Sequence, residues 1–184
     1  MQFAVKGSMP IPLRRLRLLI YSCACCVVIQ AVPAWLFAAG SKVVSLNGDW
    51  NFATDPSGSL NLTDLPSLPD PRKISIPGSW QSQFQDLRDY AGVAWYWRSV
   101  TLDTLAENEV ALLRFAAVDY KADVYINDRK AGSHEGGYLP FEFDVTGLVH
   151  PGENQVFLRV VDPGANPSEV EGIKYAEIPH GKQN

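Results

Sequence analysis

Histidine and serine are the residue types in this chain whose chemistry would most readily support metal binding or nucleophilic catalysis. His134, His150 and His180 are too far apart in sequence for any two of them to ligate one ion from a single strand or helix. The Gly-x-Ser-x-Gly pattern that presents a serine nucleophile is absent. We therefore predict no metal site, no cofactor and no hydrolase of the serine-nucleophile type.

The elements that would position any site are short. After Ser41, apolar or alternating runs are separated by Gly, Pro, Asn and Asp, with no stripe of helical period. This pattern predicts an all-β fold with strands at 42–46, 50–53, 73–76, 94–102, 110–116, 122–126, 141–145 and 155–161. Eight short strands indicate a sandwich or a barrel. In the last strand Val156, Leu158 and Val160 share one face, which we expect to cover the core.

The first 40 residues differ in kind from the rest. They contain basic residues and no acid, then an apolar run from Leu18 to Ile29, then small residues between Ala34 and Gly40. This order predicts an export signal over 1–40, cut after Ala34 or Gly40. The alternative is an uncleaved anchor that crosses a membrane through 18–39. Both interpretations predict an exported domain, periplasmic or secreted.

The positions of the charged residues and of the cysteines exclude some classes of binding partner and any disulfide within the predicted fold. Cys23, Cys25 and Cys26 all lie in the apolar run, so they cannot crosslink the fold that follows. Without residues 1–40, which carry four positive charges and no negative one, the formal net charge falls from −4 to −8. No cluster of Lys and Arg follows Arg17. We predict no nucleic-acid partner, and membrane contact only if the first segment stays uncleaved.

Several short motifs carry a resemblance to a known family. In chain order they are Leu46-Asn47-Gly48-Asp49-Trp50, Ile76-Pro77-Gly78-Ser79-Trp80, Ala94-Trp95-Tyr96-Trp97-Arg98, Val124-Tyr125-Ile126-Asn127, the run 134–146, and Pro151-Gly152-Glu153-Asn154. In order and spacing they resemble the sugar-binding domain that opens the glycoside hydrolase family 2 enzymes, which include β-galactosidases, β-glucuronidases and β-mannosidases. The resemblance covers 45–184 and implies a galactose-binding-like jelly-roll β-sandwich after the signal or anchor helix.

The same resemblance implies that this domain is not itself catalytic. In the family both catalytic carboxylates come from a barrel domain, which follows an immunoglobulin-like middle domain. We expect domain 41–184 to end before the last strand of the jelly-roll and to leave a sheet edge open. Its expected partners are a β-glycoside and the two further domains. Glu109, which follows Asn108, lies in a predicted turn open to water and lacks the burial that a general acid requires.

Four residues are predicted to contact sugar because of the resemblance. Asn127 matches a turn that reaches the substrate pocket, and its amide can both donate and accept. The alternative role of Asn127 is to form a hairpin turn with Asp128. His180, Lys182 and Gln183 match a loop at the pocket rim.

The aromatic residues have two possible roles, since indole and phenol rings stack on sugars and also fill cores. In strand 94–102 the side chains of Trp95 and Trp97 point to one face and that of Tyr96 to the other. We expect the two tryptophans to lie inside the sandwich, because burying them stabilises it more. We expect Arg98 and Asp144 to make structural hydrogen bonds or an ion pair.

Two other classes of protein remain as alternatives. A free-standing carbohydrate-binding module would need an exposed aromatic platform. An extracellular sensor domain of a membrane receptor would share the jelly-roll and some of its turns. The run 136–146 favours the glycosidase.

Overall fold

Alternating apolar residues fold the described part of the chain into antiparallel sheets. The computed structural model describes residues 1–7, 42–164 and 169–178. Its strands are β1 (Gln2–Gly7), β2 (Lys42–Ser45), β3 (Gly48–Thr54), β4 (Arg72–Ile76), β5 (Gly92–Leu102), β6 (Glu109–Phe115), β7 (Lys121–Ile126), β8 (Arg129–Glu135), β9 (Phe141–Asp144), β10 (Gly152–Asp162), β11 (Glu169–Val170) and β12 (Ile173–Lys174). A single turn of helix, α1 (Trp80–Gln83), follows β4, and short 3-10 turns lie at Leu65–Ser67, Gln85–Leu87 and Tyr175–Glu177.

Two sheets face each other across the core. The larger has the strand order β4-β3-β5-β10-β7-β8, the smaller has the order β2-β1-β6-β9, and β11 and β12 form a separate hairpin. Every paired strand is antiparallel. All eight predicted strands are present, with bounds shifted by a few residues at most. The prediction of an all-β sandwich is therefore confirmed.

The main core lies between the two sheets. It includes Phe52, Leu113 and Val124, none of which is exposed, together with the inward residues of β10. Each fully buried side chain of this kind contributes about 1.5 to 3 kcal/mol relative to its exposed form. Tyr96 belongs to this core and packs edge-to-face on Phe52.

A second apolar cluster lies on the outer face of the larger sheet. Trp95, Trp97 and Phe157 are 3 to 4% exposed there, because the chain between β3 and β4 folds over them and places Leu65 against them. The expectation that the tryptophans lie inside the sandwich is therefore wrong, since Tyr96 takes that side. The expectation that Val156, Leu158 and Val160 cover the core is confirmed, and Phe157 on the other face of β10 is buried as well.

A buried carboxylate holds the covering loop in place. Asp55 is 2% exposed and accepts hydrogen bonds from the backbone N–H of Ser59 at 2.9 Å and of Leu60 at 3.2 Å. It also accepts a bond from the Trp95 indole N–H at 3.3 Å. The loop and the outer face of the sheet are thus fastened at one point.

Residues 2–7 form β1, although the sequence assigns them to the export signal. β1 lies between β2 and β6, with Phe3 fully buried. The apolar run at 18–39 and both predicted cleavage points lie outside the described residues, so the signal stays a prediction. Within the described ranges, no helix has the length and apolar character to span a membrane. The predicted absence of a last strand also stays a prediction.

Candidate functional site

A cavity of about 360 Å³ opens between the two sheets beside α1. Its floor consists of the rings of Trp50, Trp80, Tyr96 and Phe115 together with aliphatic residues of β10. Its polar lining comes from three places: the turn after β4, the loop from Ala116 to Asp119, and Asp162 at the end of β10. We call this cavity the inter-sheet cleft.

The turn after β4 brings one wall of the cleft into place. The Ile76–Pro77 peptide bond is cis. Ser79 then caps α1, where its hydroxyl accepts from the N–H of Ser82. The Gln83 amide accepts from the N–H of Ser75 at 2.8 Å and donates to the carbonyl of Ser75 at 2.9 Å, so α1 folds back along β4. This path places the Trp80 ring on the inner face of the sheet and leaves Gln81 at the rim.

Gln81 and Asp162 form the polar side of the cleft. The amide N–H of Gln81 donates to Asp162 at 2.8 Å, and the other carboxylate oxygen accepts from the Gly164 N–H at 2.7 Å. Burial, and secondarily the charge of Asp162, raise the pKa of Tyr96 far above its ordinary value of 10.0.

The opposite wall depends on a glycine. Asp119, whose peptide bond to Tyr120 is cis, lies against Gly137. A Cβ atom at position 137 would approach the Asp119 carboxylate oxygen to 2.5 Å. Only glycine leaves room for this contact, which gives the Gly136-Gly137-Tyr138 motif of the sequence a physical role.

The cleft combines the groups that recognise a hydroxylated ring. Trp50, Trp80, Tyr96 and Phe115 are 1 to 5% exposed, so they offer ring edges and no open stacking plane, while carboxylate and amide groups can bond to adjacent hydroxyls. A mostly apolar cavity with a few convergent polar groups is also typical of small-molecule sites. The sequence motifs do not include Gln81, Asp119 or Asp162, although the Trp80 motif adjoins Gln81 and Gly137 of the run 134–146 lies against Asp119.

The structure places Asn127 away from the cleft. It lies in the β7–β8 turn with a left-handed backbone (φ 56°), and its N–H donates to the carbonyl of Gln155 at 2.7 Å. Along β10, Gln155 and Asp162 are seven residues apart, which is about 23 Å at about 3.3 Å per residue. Asn127 and the cleft are therefore at opposite ends of the sandwich.

The side chain of Asn127 is engaged in internal hydrogen bonds. Its amide N–H groups donate to the Leu148 carbonyl at 3.1 Å and to the Asn154 side chain at 3.2 Å, and its oxygen accepts from the Gln155 N–H at 3.0 Å. Asn154 is fully buried and also bonds to the backbone of His150. Asn127 therefore forms the hairpin turn between β7 and β8, which is the alternative role stated in the sequence analysis. Its contact with sugar stays a prediction.

His180, Lys182 and Gln183 lie outside the described residues. The chain that leads to them is the β11–β12 hairpin, which Glu171 fastens to Arg159 on the outer face of the larger sheet through two hydrogen bonds. The Arg159 guanidinium lowers the pKa of the Glu171 carboxyl from its ordinary value of 4.5. Burial opposes ionisation of the neighbouring Asp123, but bonds from Lys130 and Ser133 hold its pKa below 3.8.

Arg98, Asp144 and His134 contact neighbouring parts of the sandwich. Arg98 donates to the carbonyls of Leu46 and Asn47, and Asp144 accepts from Thr146, so both make structural hydrogen bonds as expected. The His134 ring stacks on Phe141. In the described part of the chain, no three His, Cys, Asp or Glu side chains come together as a metal site.

Burial separates the aromatic residues by role. Trp80, Trp95 and Trp97 are each under 5% exposed, so they stabilise the two cores and offer at most a ring edge to a ligand. Tyr138 is 59% exposed, and the neighbouring Leu139 is 70% exposed. These two residues are the tip of the β8–β9 loop.

Comparison with known proteins relates residues 43–170 to a family model described as glycosyl hydrolases family 2, sugar binding domain. A putative β-glucuronidase of Formosa agariphila is 29% identical over 133 residues, which is 68% of this chain and 16% of that protein. A β-glucuronidase of Paenibacillus borealis is 32% identical over 124 residues, covering 65% of this chain and 21% of that protein.

The solved structures that are similar to this chain also include β-glucuronidases. The structure of a Bifidobacterium dentium β-glucuronidase complexed with coumarin-3-O-glucuronide matches with a TM-score of 0.59 and 36% identity, covering 67% of this chain and 20% of that one. A Faecalibacterium prausnitzii β-glucuronidase matches with a TM-score of 0.58 and 34% identity, covering 68% of this chain and 22% of that one. The chain spans about a fifth of the length of these proteins.

Proposed function

Because this chain belongs to glycosyl hydrolase family 2 through its sugar-binding domain, we propose that it is the non-catalytic sugar-site part of an exported β-glucuronidase-type glycosidase. The β-glucuronide substrate class is supported by the names of the similar proteins. The relatives from Formosa, Paenibacillus, Bifidobacterium and Faecalibacterium all have β-glucuronidase names. The inter-sheet cleft supports the proposal as one wall of a sugar site, with Gln81 and Asp162 as hydroxyl partners.

Charge favours a specific role for Lys182. A glucuronide carries a carboxylate, and an acidic domain repels it unless a cation lies near the binding site. Lys182 is the one Lys or Arg within 178–184, the stretch that the resemblance places at the pocket rim. We propose that Lys182 pairs with the sugar carboxylate and that His180 and Gln183 bond to hydroxyls of the same ring.

Asn127 is proposed only as a separate contact, apart from the cleft, because it lies at the opposite end of the sandwich. Both of its amide N–H groups and one oxygen lone pair are used internally. Only the second lone pair of its side-chain oxygen is left to accept a bond from a sugar hydroxyl. Any contact by Asn127 is therefore a single accepted hydrogen bond.

The chemistry is proposed to come from the rest of the protein. Two carboxyl groups roughly 5 to 10 Å apart are required, one as acid and one as nucleophile or base. We propose that a barrel domain supplies both, that a middle domain joins it to this one, and that the whole protein is periplasmic or secreted. The coding DNA beyond Asn184 tests this directly: a frame that continues into a barrel supports the proposal, and a stop codon there contradicts it.

The 184-residue chain alone is expected to be inactive. Purified chain would be assayed on nitrophenyl β-glucuronide, β-galactoside and β-mannoside, with Glu109→Ala at the start of β6 and Glu135→Ala at the end of β8 as control variants. Activity of the purified chain, whether it survives both substitutions or is lost with either one, would show that the chain carries catalytic groups of its own, against the proposal.

The role of Lys182 is tested in the protein encoded by the whole reading frame. Lys182→Ala is expected to lower kcat/KM for nitrophenyl β-glucuronide by about tenfold or more, since a charge-assisted hydrogen bond contributes about 1.5 to 3 kcal/mol. The matched variant Lys174→Ala removes an exposed cation paired with Glu177 and is expected to leave it unchanged. Equal losses in both variants would remove the argument for Lys182.

A further inference from the structure

The inter-sheet cleft has a carboxylate on each of two walls. Asp162 lies at the end of β10, and Asp119 lies on the opposite wall against Gly137. No Lys, Arg or His is among the described residues that line the cleft. The ammonium group of Met1, which is another lining residue, donates to the Asn47 side chain at 3.1 Å. The cleft therefore offers mainly hydrogen-bond acceptors to a ligand.

These acceptors favour a ligand that donates hydrogen bonds and carries no negative charge. A carboxylate has about four acceptor positions, and in Asp162 two of them are taken by the Gln81 amide and the Gly164 N–H. The remaining positions can accept from the hydroxyl groups of a ligand. A ligand carboxylate would instead be repelled by both Asp119 and Asp162, because like charges placed side by side are unfavourable. The cleft therefore suits a neutral hydroxylated ring and disfavours the carboxylate end of a glucuronic acid.

An exposed aromatic ring lies beside the cleft. Gly137 lines the cleft, and the next residue, Tyr138, is 59% exposed at the tip of the β8–β9 loop. Consecutive Cα atoms are about 3.8 Å apart, so the Tyr138 ring is within reach of a ligand that fills the cleft. Of the aromatic side chains in the described ranges, that of Tyr138 is the one that is mostly exposed. The stacking plane that the buried floor of the cleft does not offer is therefore available at this loop.

The size of the cleft limits the ligand to about one ring. Its volume of about 360 Å³ lies near the lower end of the range of about 300 to 1,000 Å³ that is typical of small-molecule sites. We propose that the cleft and Tyr138 form a subsite for the neutral sugar to which the glucuronic acid is linked, on the leaving-group side of the substrate. This inference rests on the proposed function, in which Lys182 pairs with the sugar carboxylate. The substrate class is then an oligosaccharide in which β-glucuronic acid is attached to a neutral hexose.

Sugar binding to the 184-residue chain tests the subsite without any catalytic step. Methyl β-glucoside, methyl β-galactoside and methyl β-glucuronide would each be titrated, with the NMR signals of the Trp80 indole and the Gln81 amide reporting on the cleft itself. We expect a neutral glycoside to bind there at least about tenfold more tightly than the glucuronide, because the latter meets two carboxylates. Asp162→Asn should reduce this preference by about threefold or more.

Two adjacent residues of the loop tip provide a matched pair of variants. Tyr138→Ala removes the stacking plane and should weaken binding of the neutral glycosides by about three- to tenfold, while Tyr138→Phe should stay within about twofold of the natural chain. The control Leu139→Ala removes an aliphatic side chain that is 70% exposed and should also stay within about twofold. Both side chains are exposed, so thermal unfolding of the variants should match that of the natural chain.

Turnover by the protein encoded by the whole reading frame separates this inference from the proposed function. The two substrates are a disaccharide of β-glucuronic acid on glucose and β-glucuronyl fluoride, whose leaving group is too small to fill the cleft. Tyr138→Ala should lower the ratio of kcat/KM for the disaccharide to that for the fluoride by about three- to tenfold, and Leu139→Ala should leave this ratio within about twofold.

The outcomes distinguish the two proposals. No cleavage of either substrate would overturn the proposed function and the leaving-group assignment with it, while the titration would still decide whether the cleft binds a neutral sugar. The subsite is overturned if the neutral glycosides leave the Trp80 and Gln81 signals unchanged, or if methyl β-glucuronide or the cationic sugar glucosamine binds there more tightly. Equal losses in Tyr138→Ala and Leu139→Ala would also overturn it, because stacking on the ring would then have no part in binding.

Discussion

Asn127→Ala separates a structural role of this residue from a binding role. The substitution removes three side-chain hydrogen bonds, to Leu148, Asn154 and Gln155, at the end of the sandwich far from the inter-sheet cleft. It also places alanine at a left-handed backbone position (φ 56°) that asparagine tolerates better.

The size of the effect follows from these contacts. Hydrogen bonds of this kind contribute about 1 kcal/mol each, and the left-handed backbone costs alanine about 1 kcal/mol more. We expect Asn127→Ala to lower the free energy of unfolding by about 3 to 4 kcal/mol. Asn127→Gly keeps the backbone conformation and should cost about 1 kcal/mol less. Asn154→Ala should couple to Asn127→Ala by about 1 kcal/mol, because the two amides share one bond.

Urea unfolding followed by tryptophan fluorescence measures these differences. For small proteins the denaturant slope is about 1 to 3 kcal/mol per molar urea, so the Asn127→Ala midpoint should fall by roughly 1 to 4 M. Oligosaccharide binding would be followed in parallel by calorimetry. If Asn127→Ala changes stability by less than about 0.5 kcal/mol but abolishes binding, the structural reasoning is refuted and Asn127 is a binding residue.

Three further predictions concern the cleft wall, the hairpin and the outer core. Gly137→Ala should lower the free energy of unfolding by about 1 to 3 kcal/mol, because the added methyl group would lie 2.5 Å from the Asp119 carboxylate. The control Gly147→Ala, which has open space around the added methyl group, should stay within about 0.5 kcal/mol of the natural chain, and thermal unfolding measures both. The pKa of Glu171 is lowered in the folded chain, so its bond to Arg159 stabilises the hairpin above about pH 4.5 and is lost as pH falls below that value. The protection factors of the hairpin amides, which are exchange rates relative to the intrinsic rate at the same pH, should therefore fall in acid, and equal protection factors at pH 3 and pH 7 would contradict this. Trp95→Ala should cost about 3 to 5 kcal/mol in urea unfolding, and a loss below 1 kcal/mol would mean that the outer cluster is not a core.

The strands were predictable because their signal is local. Alternation and turn residues placed β5, β6, β7 and β10 within a few residues of their observed bounds. Which face of a strand becomes the core was not predictable in the same way. Tyr96 faces the sandwich and Trp95 the outside because a loop distant in sequence covers the outer face, and no periodicity within β5 encodes that loop.

The candidate site was predictable only in part. The motif that ends at Trp80 identified the turn between β4 and α1, which forms one wall of the cleft. The hydrogen bond between Gln81 and Asp162 joins residues 81 positions apart, and a pattern along the chain does not reveal such a pair. β1 was missed for a different reason: basic and apolar composition around it indicates an export signal, and the six residues of the strand are too few to oppose that interpretation.

The substrate preference of the protein encoded by the whole reading frame tests the central claim most directly. Its kcat/KM would be measured on nitrophenyl β-glucuronide, β-galactoside and β-mannoside under one set of conditions. We predict that the β-glucuronide is preferred by about a hundredfold or more, as for a site built to bind a carboxylate. A preference for either neutral glycoside, or no cleavage of any of the three, would contradict the proposed function.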